Sequence, residues 1–285
     1  MAEISAADVK RLREKTGAGM MECKNALVET GGDFGQAEKL LKEKGLAAME
    51  KRADRATDHG KVFVKAAAAG DAAVLVELSC ETDFVAKNAE FVELGNAVAK
   101  RAMEKGCGAG DEELAGMVAG LAAKIRENMG LRRLRAMRAG EGEHVTWYTH
   151  GDGEIGVAVR CASDKPDVFK EDEARSFAFS LALHIAAFNP LALDRGSLDP
   201  AYVAEQEGIF RKQVEQDEKL RGKPANVLEG ILKGKLSKHL AEICLMDQGY
   251  VRDEKLTVAE AIAEQSKRLG AKIEIAEYAY FKVGA

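Results

Sequence analysis

The stretch SCETDFVAKN, residues 79–88, sets a thiol, Cys80, three residues ahead of an acid, Asp83, and follows the acid with a large aromatic, Phe84. A cysteine hydrolase joins a thiol to a histidine and an orienting acid. His184, in LALHIAAFNP, sits on an apolar helical stretch near its end, where a satisfied core histidine is the ordinary case; nothing in the sequence brings it to Cys80. A metal centre needs clustered ligands. The five cysteines (Cys23, Cys80, Cys107, Cys161, Cys244) never form a C-x-x-C pair, and the five histidines (His59, His144, His150, His184, His239) include no H-E-x-x-H. The glycine-rich GCGAGD, 106–111, lacks the lysine of a phosphate loop and follows a helical stretch, so it reads as a connection. The remaining use is recognition. Phe84 falls where an apolar strand gives out, and strand ends commonly carry function because a rigid sheet positions them. A phenylalanine there also serves as the first core residue of a following helix.

The elements around these residues follow from periodicity. Residues 1–50 predict three short helices: Ser5 with Asp8 opens the first, TGAG at 16–19 breaks it, GGD at 31–33 ends the second, Asp33 caps the third, and Gly45 is expected to stop it. EKRADRATDHGK has no apolar periodicity, and 51–61 is expected to be a linker. KVFVKA and VLVELSC predict a hairpin, followed by one helix over about 85–105. A second hairpin lies at 144–161, turning at GDGE.

GDAAVLVELSCETD (70–83) aligns without a gap on GDGEIGVAVRCASD (151–164), and each copy leads into a helix. This predicts an internally repeated hairpin–helix unit, with Cys80 and Cys161 as small buried strand residues. The copies part after the shared acid: Phe84 in one, Lys165 in the other. That difference favours a special task for Phe84 over a generic core role.

Residues 111–128 read as helix and GLRRLRAMR (130–138) as a strand with a solvated basic edge. Beyond Pro190 the chain is amphipathic. Residues 201–220 predict a charged helix, and a second helix is expected to start with Pro224 at its first position. Leu228, Leu232, Leu236, Leu240 and Cys244 give this second helix a four-residue repeat. An antiparallel helix pair that joins a second copy of the chain, or one that packs on the core, fits this pattern equally. The end, KIEIAEYAYFKV, is strand-like.

Composition sets the class. With 285 residues, 46% apolar and 31% charged, the chain is expected to bury more than one core. A net charge of −5 gives no general reason for a nucleic-acid partner. No run approaches the ~20 apolar residues of a membrane span. The start, MAEISAADVKRLREK, has no apolar core of a secretory signal, although a chain whose transit peptide had been removed would look the same. Scattered, unpaired cysteines fit a cytoplasmic location. From the residues alone the expectation is a cytoplasmic α+β interaction protein, not an enzyme.

LREKTGAGMMECKNAL (12–27) and ELSCETDFVAKN (77–88) closely resemble the two signature segments of the bacterial elongation factor Ts family, and LHIAAFNP (183–190) and GKPANVLEGILKGKL (222–236) resemble later family segments in the same order. The resemblance implies an α+β fold with these divisions. A ubiquitin-associated-like three-helix domain spans 1–50, and a linker 51–61. A core N-subdomain covers 62–140, and a related C-subdomain covers 141–190 and 246–285. An inserted antiparallel coiled coil for dimerisation takes 191–245. It further implies a guanine nucleotide exchange factor for elongation factor Tu, in its GDP-bound and nucleotide-free forms, with no cofactor, no membrane and no direct nucleic-acid contact. In the family the Thr-Asp-Phe-Val segment, here Thr82, Asp83, Phe84 and Val85, enters the partner's G domain and dislodges the magnesium ion that helps hold GDP. The helix matching LHIAAFNP approaches the partner as well, which makes His184 a secondary contact. Family members commonly add a small C-terminal helical module after the final strand; this sequence stops at Ala285, so binding from such a module is expected to be absent. Two other functions compete: a non-catalytic scaffold that binds a different protein through the N-terminal helices, and, remotely, a cysteine-dependent hydrolase.

Overall fold

The computed structural model describes residues 4–50 and 52–285. Met1 to Glu3, at the head of the expected N-terminal domain, and Lys51, the first residue of the expected linker, lie outside the described residues. Ser5 opens α1 (Ala6–Thr16): its Oγ accepts the Asp8 amide at 3.1 Å and donates to the Asp8 carboxylate at 2.6 Å, while Gly17, at φ 70°, closes the helix. At α2 (Met20–Glu29) the Glu22 carboxylate reaches back to accept the Gly19 amide at 3.0 Å. Asp33 opens α3 (Phe34–Glu50) by accepting the Gln36 amide at 2.9 Å. Leu12, Cys23, Ala26, Leu27 and Ala37 form the core these helices share. The expected stop at Gly45 does not occur; α3 runs on to Glu50. A Cβ at Gly45 would lie 3.2 Å from that of Ala123. The glycine permits a close helix crossing and does not cap.

Two sheets follow. The first joins β1 (His59–Ala66), β2 (Ala72–Cys80) and β3 (Met129–Arg138) in the antiparallel order β1-β2-β3. Between β2 and β3 lie α4 (Asp83–Ala86), α5 (Ala89–Lys105) and α6 (Glu112–Ile125). The helix expected over 85–105 is therefore broken. Asn88 caps α5, its side chain accepting the Glu90 amide at 2.8 Å, and leaves α4 as a separate turn. β1 starts within the expected linker, because backbone pairing of His59, Gly60 and Lys61 with Cys80, Ser79 and Leu78 needs no apolar side chains.

The second sheet has the same form. β4 (Glu143–His150), β5 (Ile155–Ser163) and β8 (Ile273–Lys282) run in the order β4-β5-β8. In between come α7 (Asp172–Phe188), α8 (Pro200–Gln216), α9 (Ala225–Ile243), the short pair β6 (Gly249–Tyr250) and β7 (Asp253–Thr257), and α10 (Val258–Leu269). Cys80 and Cys161 are both fully buried.

Strand alternation sorts the side chains into layers. Val74, Val76, Leu78 and Cys80 of β2 pack under α5 and α6 with Phe91, Val98 and Leu114. Ala73 and Leu75, with Val62 of β1, instead meet Val145, Ala158 and Phe281 of the second sheet. Val157, Val159 and Cys161 of β5 pack against α7 and α10. The result is helix, sheet, sheet, helix: an α+β fold with two sheets face to face.

The basic strand β3 lies at the sheet edge as expected, with ties the expectation did not include. Arg133 Nε donates to Glu77 Oε2 at 2.5 Å, Glu77 is fully buried, and Arg133 Nη2 donates to the Lys282 carbonyl at 2.8 Å. Arg135 pairs with Glu277 of β8, and Arg138 donates to the Met103 carbonyl at 3.2 Å. Arg132, Arg135 and Arg138 are exposed as expected, but Arg133, Arg135 and Arg138 also bind the layers together. α8 and α9 run antiparallel, since Tyr202 meets His239 at 3.0 Å and Arg211 meets Glu229 at 3.7 Å. Pro224 stands at the N-cap of α9, one residue before its expected place. Of the leucine repeat, Leu232, Leu240 and Cys244 are buried.

Two helical glycines give a stability test. A Cβ at Gly95 of α5 would lie 2.2 Å from the Phe63 ring, whereas one at Gly116 of α6 would meet nothing within 4 Å. Alanine gains ~1 kcal/mol of helix propensity over glycine, and overpacking a filled core costs ~1–3 kcal/mol. Gly116→Ala should therefore raise the urea midpoint and Gly95→Ala should lower it. Equal shifts in the two melts would refute the packing role of Gly95.

Candidate functional site

β2 is buried at every position and ends at Cys80. The chain must then leave the sheet with its backbone donors satisfied. Two of them, and one hydroxyl, are taken by one side chain. Glu127 Oε2 accepts the amides of Glu81 and Thr82, each at 3.1 Å, and Oε1 accepts the Thr82 hydroxyl at 2.7 Å. Glu81 answers in reverse: its Oε1 accepts the Asn128 amide at 2.6 Å, and its carboxylate also pairs with Arg55 at 3.2 Å. The Asn128 amide hydrogen bond, ahead of Arg55, holds the Glu81 carboxyl below its ordinary range. Asn128 Nδ2 donates to the carbonyls of Ala53 and Arg55, at 3.1 and 2.8 Å. The turn is tied down from two directions.

Thr82 then caps α4, its Oγ1 accepting the Val85 amide at 3.3 Å. The four residues singled out by resemblance take different positions. Thr82 is the cap. Val85, with Ala86, is buried in the core under α5. Asp83 pairs at the surface with Lys87 at 2.9 Å, and this hydrogen bond holds its carboxyl low. Phe84 is 82% exposed. It is not a core residue of the following helix. A cleft of about 480 Å³ opens beside the turn, with Asp58, Lys61, Asp83, Lys87, Asp152 and Glu154 in its walls. Among the described residues no group of three or more His, Cys, Asp or Glu side chains is placed to hold a metal ion.

Cys80 is no nucleophile here. Its thiol donates to the Thr82 carbonyl at 3.2 Å, and burial, then the Glu127 charge, push its pKa up to about 12. The strand register sets His59, not His184, opposite Cys80. Thiol activation needs the reverse shift, so this pairing supplies no hydrolase.

His184 lies on α7, fully buried. Gln248 Nε2 donates to the Glu242 carbonyl at 2.7 Å, which turns Gln248 Oε1 towards His184 Nε2 at 3.0 Å. The Val251 amide donates to His184 Nδ1 at 3.2 Å. The ring is therefore neutral and protonated on Nε2. What its segment shows to solvent is Phe188, 46% exposed and stacked on the imidazole at 4.6 Å. Similarly, the first signature segment buries Cys23 and Leu27 while exposing Met20 and Met21. Glu81, Glu127 and Asn128 were not legible as site residues, because their partners are distant in sequence; the adjacent acid and amide after a helix, EN at 127–128, were the only trace.

Burial lowers the His184 pKa, with the Gln248 hydrogen bond opposing. The unfolded chain then binds a proton, near its ordinary pKa of about 6.5, that the native state refuses. This stability is present above about pH 6.5 and lost as pH falls below it. Melting temperatures taken at about pH 7.5 and about pH 5.5 should differ less in His184→Gln than in the unsubstituted protein. An unchanged difference would show that His184 is charged when folded.

With this geometry in view, comparison with known proteins is informative. A family model described as "Elongation factor TS" matches residues 81–285. The chain is 47% identical over 282 residues to "Elongation factor Ts" of Treponema denticola, covering 99% of each chain. It is 45% identical over 291 residues to that of Treponema pallidum, again with 99% of each covered, and 43% identical over 287 residues to that of Borreliella burgdorferi, with 100% of each covered. An exposed aromatic on a braced turn, within the matched region and in relatives similar from end to end, leads to one conclusion: this chain belongs to the elongation factor Ts family of translation factors.

Proposed function

We propose that this chain is a guanine nucleotide exchange factor for elongation factor Tu, acting in the cytoplasm during translation elongation and carrying no bond-making chemistry of its own. The observation that carries the reading is Phe84: 82% exposed on a one-turn helix whose next two residues are buried, in a chain of this family. An aromatic held out on a fixed base suits insertion between packed helices of a partner. In a G domain, GDP is held by phosphate-loop amides and by a magnesium ion. Displacing the groups around that ion weakens GDP binding. The factor binds the empty partner more tightly than the loaded one, and by linkage nucleotide expels the factor to the same degree.

In this reading Asp83 and Phe84 touch the partner, Thr82 sets the turn, and Val85 anchors it. The secondary contact at His184 is made by Phe188, which the buried ring supports. The three-helix unit of 1–50 is ubiquitin-associated-like and adds a contact through its exposed Met20 and Met21. Residues 62–140 form one core subdomain; 141–190 and 246–285 form its relative. The 191–245 insertion is a coiled coil whose exposed Ile209 and Val227 support pairing with a second copy.

Stopped-flow release of fluorescent GDP from elongation factor Tu, in excess unlabelled GDP, tests this. The protein should accelerate release. Phe84→Ala should cut the saturating rate at least ~tenfold, about 1.4 kcal/mol of barrier, with an essentially unchanged melting temperature because the side chain is 82% exposed. Cys80→Ala should leave the rate intact. Acceleration that survives Phe84→Ala would keep the function and remove the wedge; no acceleration at all would put a non-catalytic scaffold in its place.

A further inference from the structure

Glu127 lies outside the Thr82–Val85 segment and 45 residues beyond Thr82 in sequence, yet its carboxylate accepts three hydrogen bonds from the start of the turn. We propose that Glu127 is a positioning residue for Phe84, holding the turn in the orientation that nucleotide exchange requires. The inference rests on the exchange-factor reading above and adds to it a residue distant in sequence.

The local chain is built to deliver this carboxylate. Arg126, which ends α6, adopts a left-handed conformation at φ 67°, sparse for a residue with a side chain, and this turns the backbone so that Glu127 points back to β2. Its three acceptor contacts span the last sheet-side amide, the cap amide and the cap hydroxyl. Thr82 can accept from Val85 while donating to Glu127, so one hydroxyl joins the clamp to the helix that carries Phe84. Glu127 touches neither Asp83 nor Phe84 by hydrogen bond. Its removal leaves the partner-facing side chains intact and loosens their base.

The same short segment also holds the N-terminal helices. Arg126 pairs with Glu22 of α2, and a Cβ at Gly17 would overlap the Lys124 side chain at 2.5 Å. Asn128 holds the carbonyls of Ala53 and Arg55, in the connection to β1. Residues 123–128 thus link the three-helix unit and the Phe84 turn, so that the two surfaces meet a partner in fixed relation.

Glu127→Ala and Glu127→Gln provide the test, read by two methods on the full chain. Glutamine keeps one carbonyl oxygen for the two backbone amides, so it should rescue most of what alanine loses. In Glu127→Ala the amides of Glu81 and Thr82 should exchange with deuterium at least ~tenfold faster. In stopped-flow GDP release, the saturating rate should fall at least ~fivefold while the half-saturating concentration moves less than ~twofold, the pattern of an interaction realised only at the transition state. Circular dichroism confirms folding, and if the alanine variant is unfolded the glutamine variant carries the comparison, with a smaller loss in the same direction. A full saturating rate in Glu127→Ala, or a loss confined to half-saturation, overturns the positioning role. Equal loss in both variants assigns the effect to charge and overturns it too. No acceleration by the unsubstituted protein overturns the exchange-factor reading itself, a result distinct from these.

Discussion

The constraint on which everything else depends is that β2 has no free face. Helices cover one side and a second sheet covers the other, so each of its positions is buried. A strand of this kind cannot present a side chain to a partner along its length. It can only point at something beyond its end, and it does so stiffly because both faces are packed at interior density. The buried Glu77–Arg133 pair sits on the same strand and joins β2 and β3 to the carbonyl of Lys282 in the other sheet. Such a pair brings little net stability after desolvation, but a single wrong register would leave a charge stranded. Register at Glu77 sets where β2 stops, and where β2 stops sets where Phe84 goes.

The turn itself uses helical geometry economically. Successive residues of a helix point about 100° apart. In a single turn beginning at Thr82, Val85 and Ala86 fall on the core side, and Phe84 is left facing water. Burying a phenylalanine is worth ~1.5–3 kcal/mol, a gain this chain forgoes at an 82% exposed site whose neighbours are fixed by five hydrogen bonds through Glu81, Thr82, Glu127 and Asn128. An aromatic outside on a mobile loop would be unremarkable. One outside on a braced turn is held there by the fold.

How much of this was legible follows from which interactions are local. Caps, turns and strand alternation act over a few residues, so Ser5, Asp33 and both hairpins were readable, and the aligned copies located the two cysteines. The departure of Phe84 from its counterpart Lys165 argued against a generic core role, and Phe84 is exposed. What failed were features decided by a distant partner. Gly45 reads as a stop, and only its proximity to Ala123 makes it a packing contact. The arginines of β3 read as a solvated edge and several are exposed, but their partners, Glu277 and the Lys282 carbonyl, come only from the second sheet. His184 read from its residues as a satisfied core histidine, and Gln248 and Val251 do occupy both ring nitrogens; only the resemblance made it a contact, and which partners would satisfy it was not readable.

The aligned acids show how the two units differ at the same corner. In the second sheet Asp164 is spent on closing its own turn: its Oδ1 accepts the Lys272 amide at 2.7 Å, next to the start of β8. The aromatic that follows there, Phe169, is buried and stacked on His144 at 5.4 Å. In the first sheet the residues just before β3 take over that work. Glu127 and Asn128 close the turn from the far side, through Glu81 and Thr82. The aligned Asp83 makes no such link to the opposite strand among the described residues; it pairs with Lys87 and stands at the surface beside Phe84. Moving the closure from the acid to the opposite strand frees two adjacent positions, one charged and one aromatic, without loosening the turn. The same topology thus gives a sealed corner in one unit and a presented pair in the other, and the difference lies in which side of the corner supplies the carboxylate.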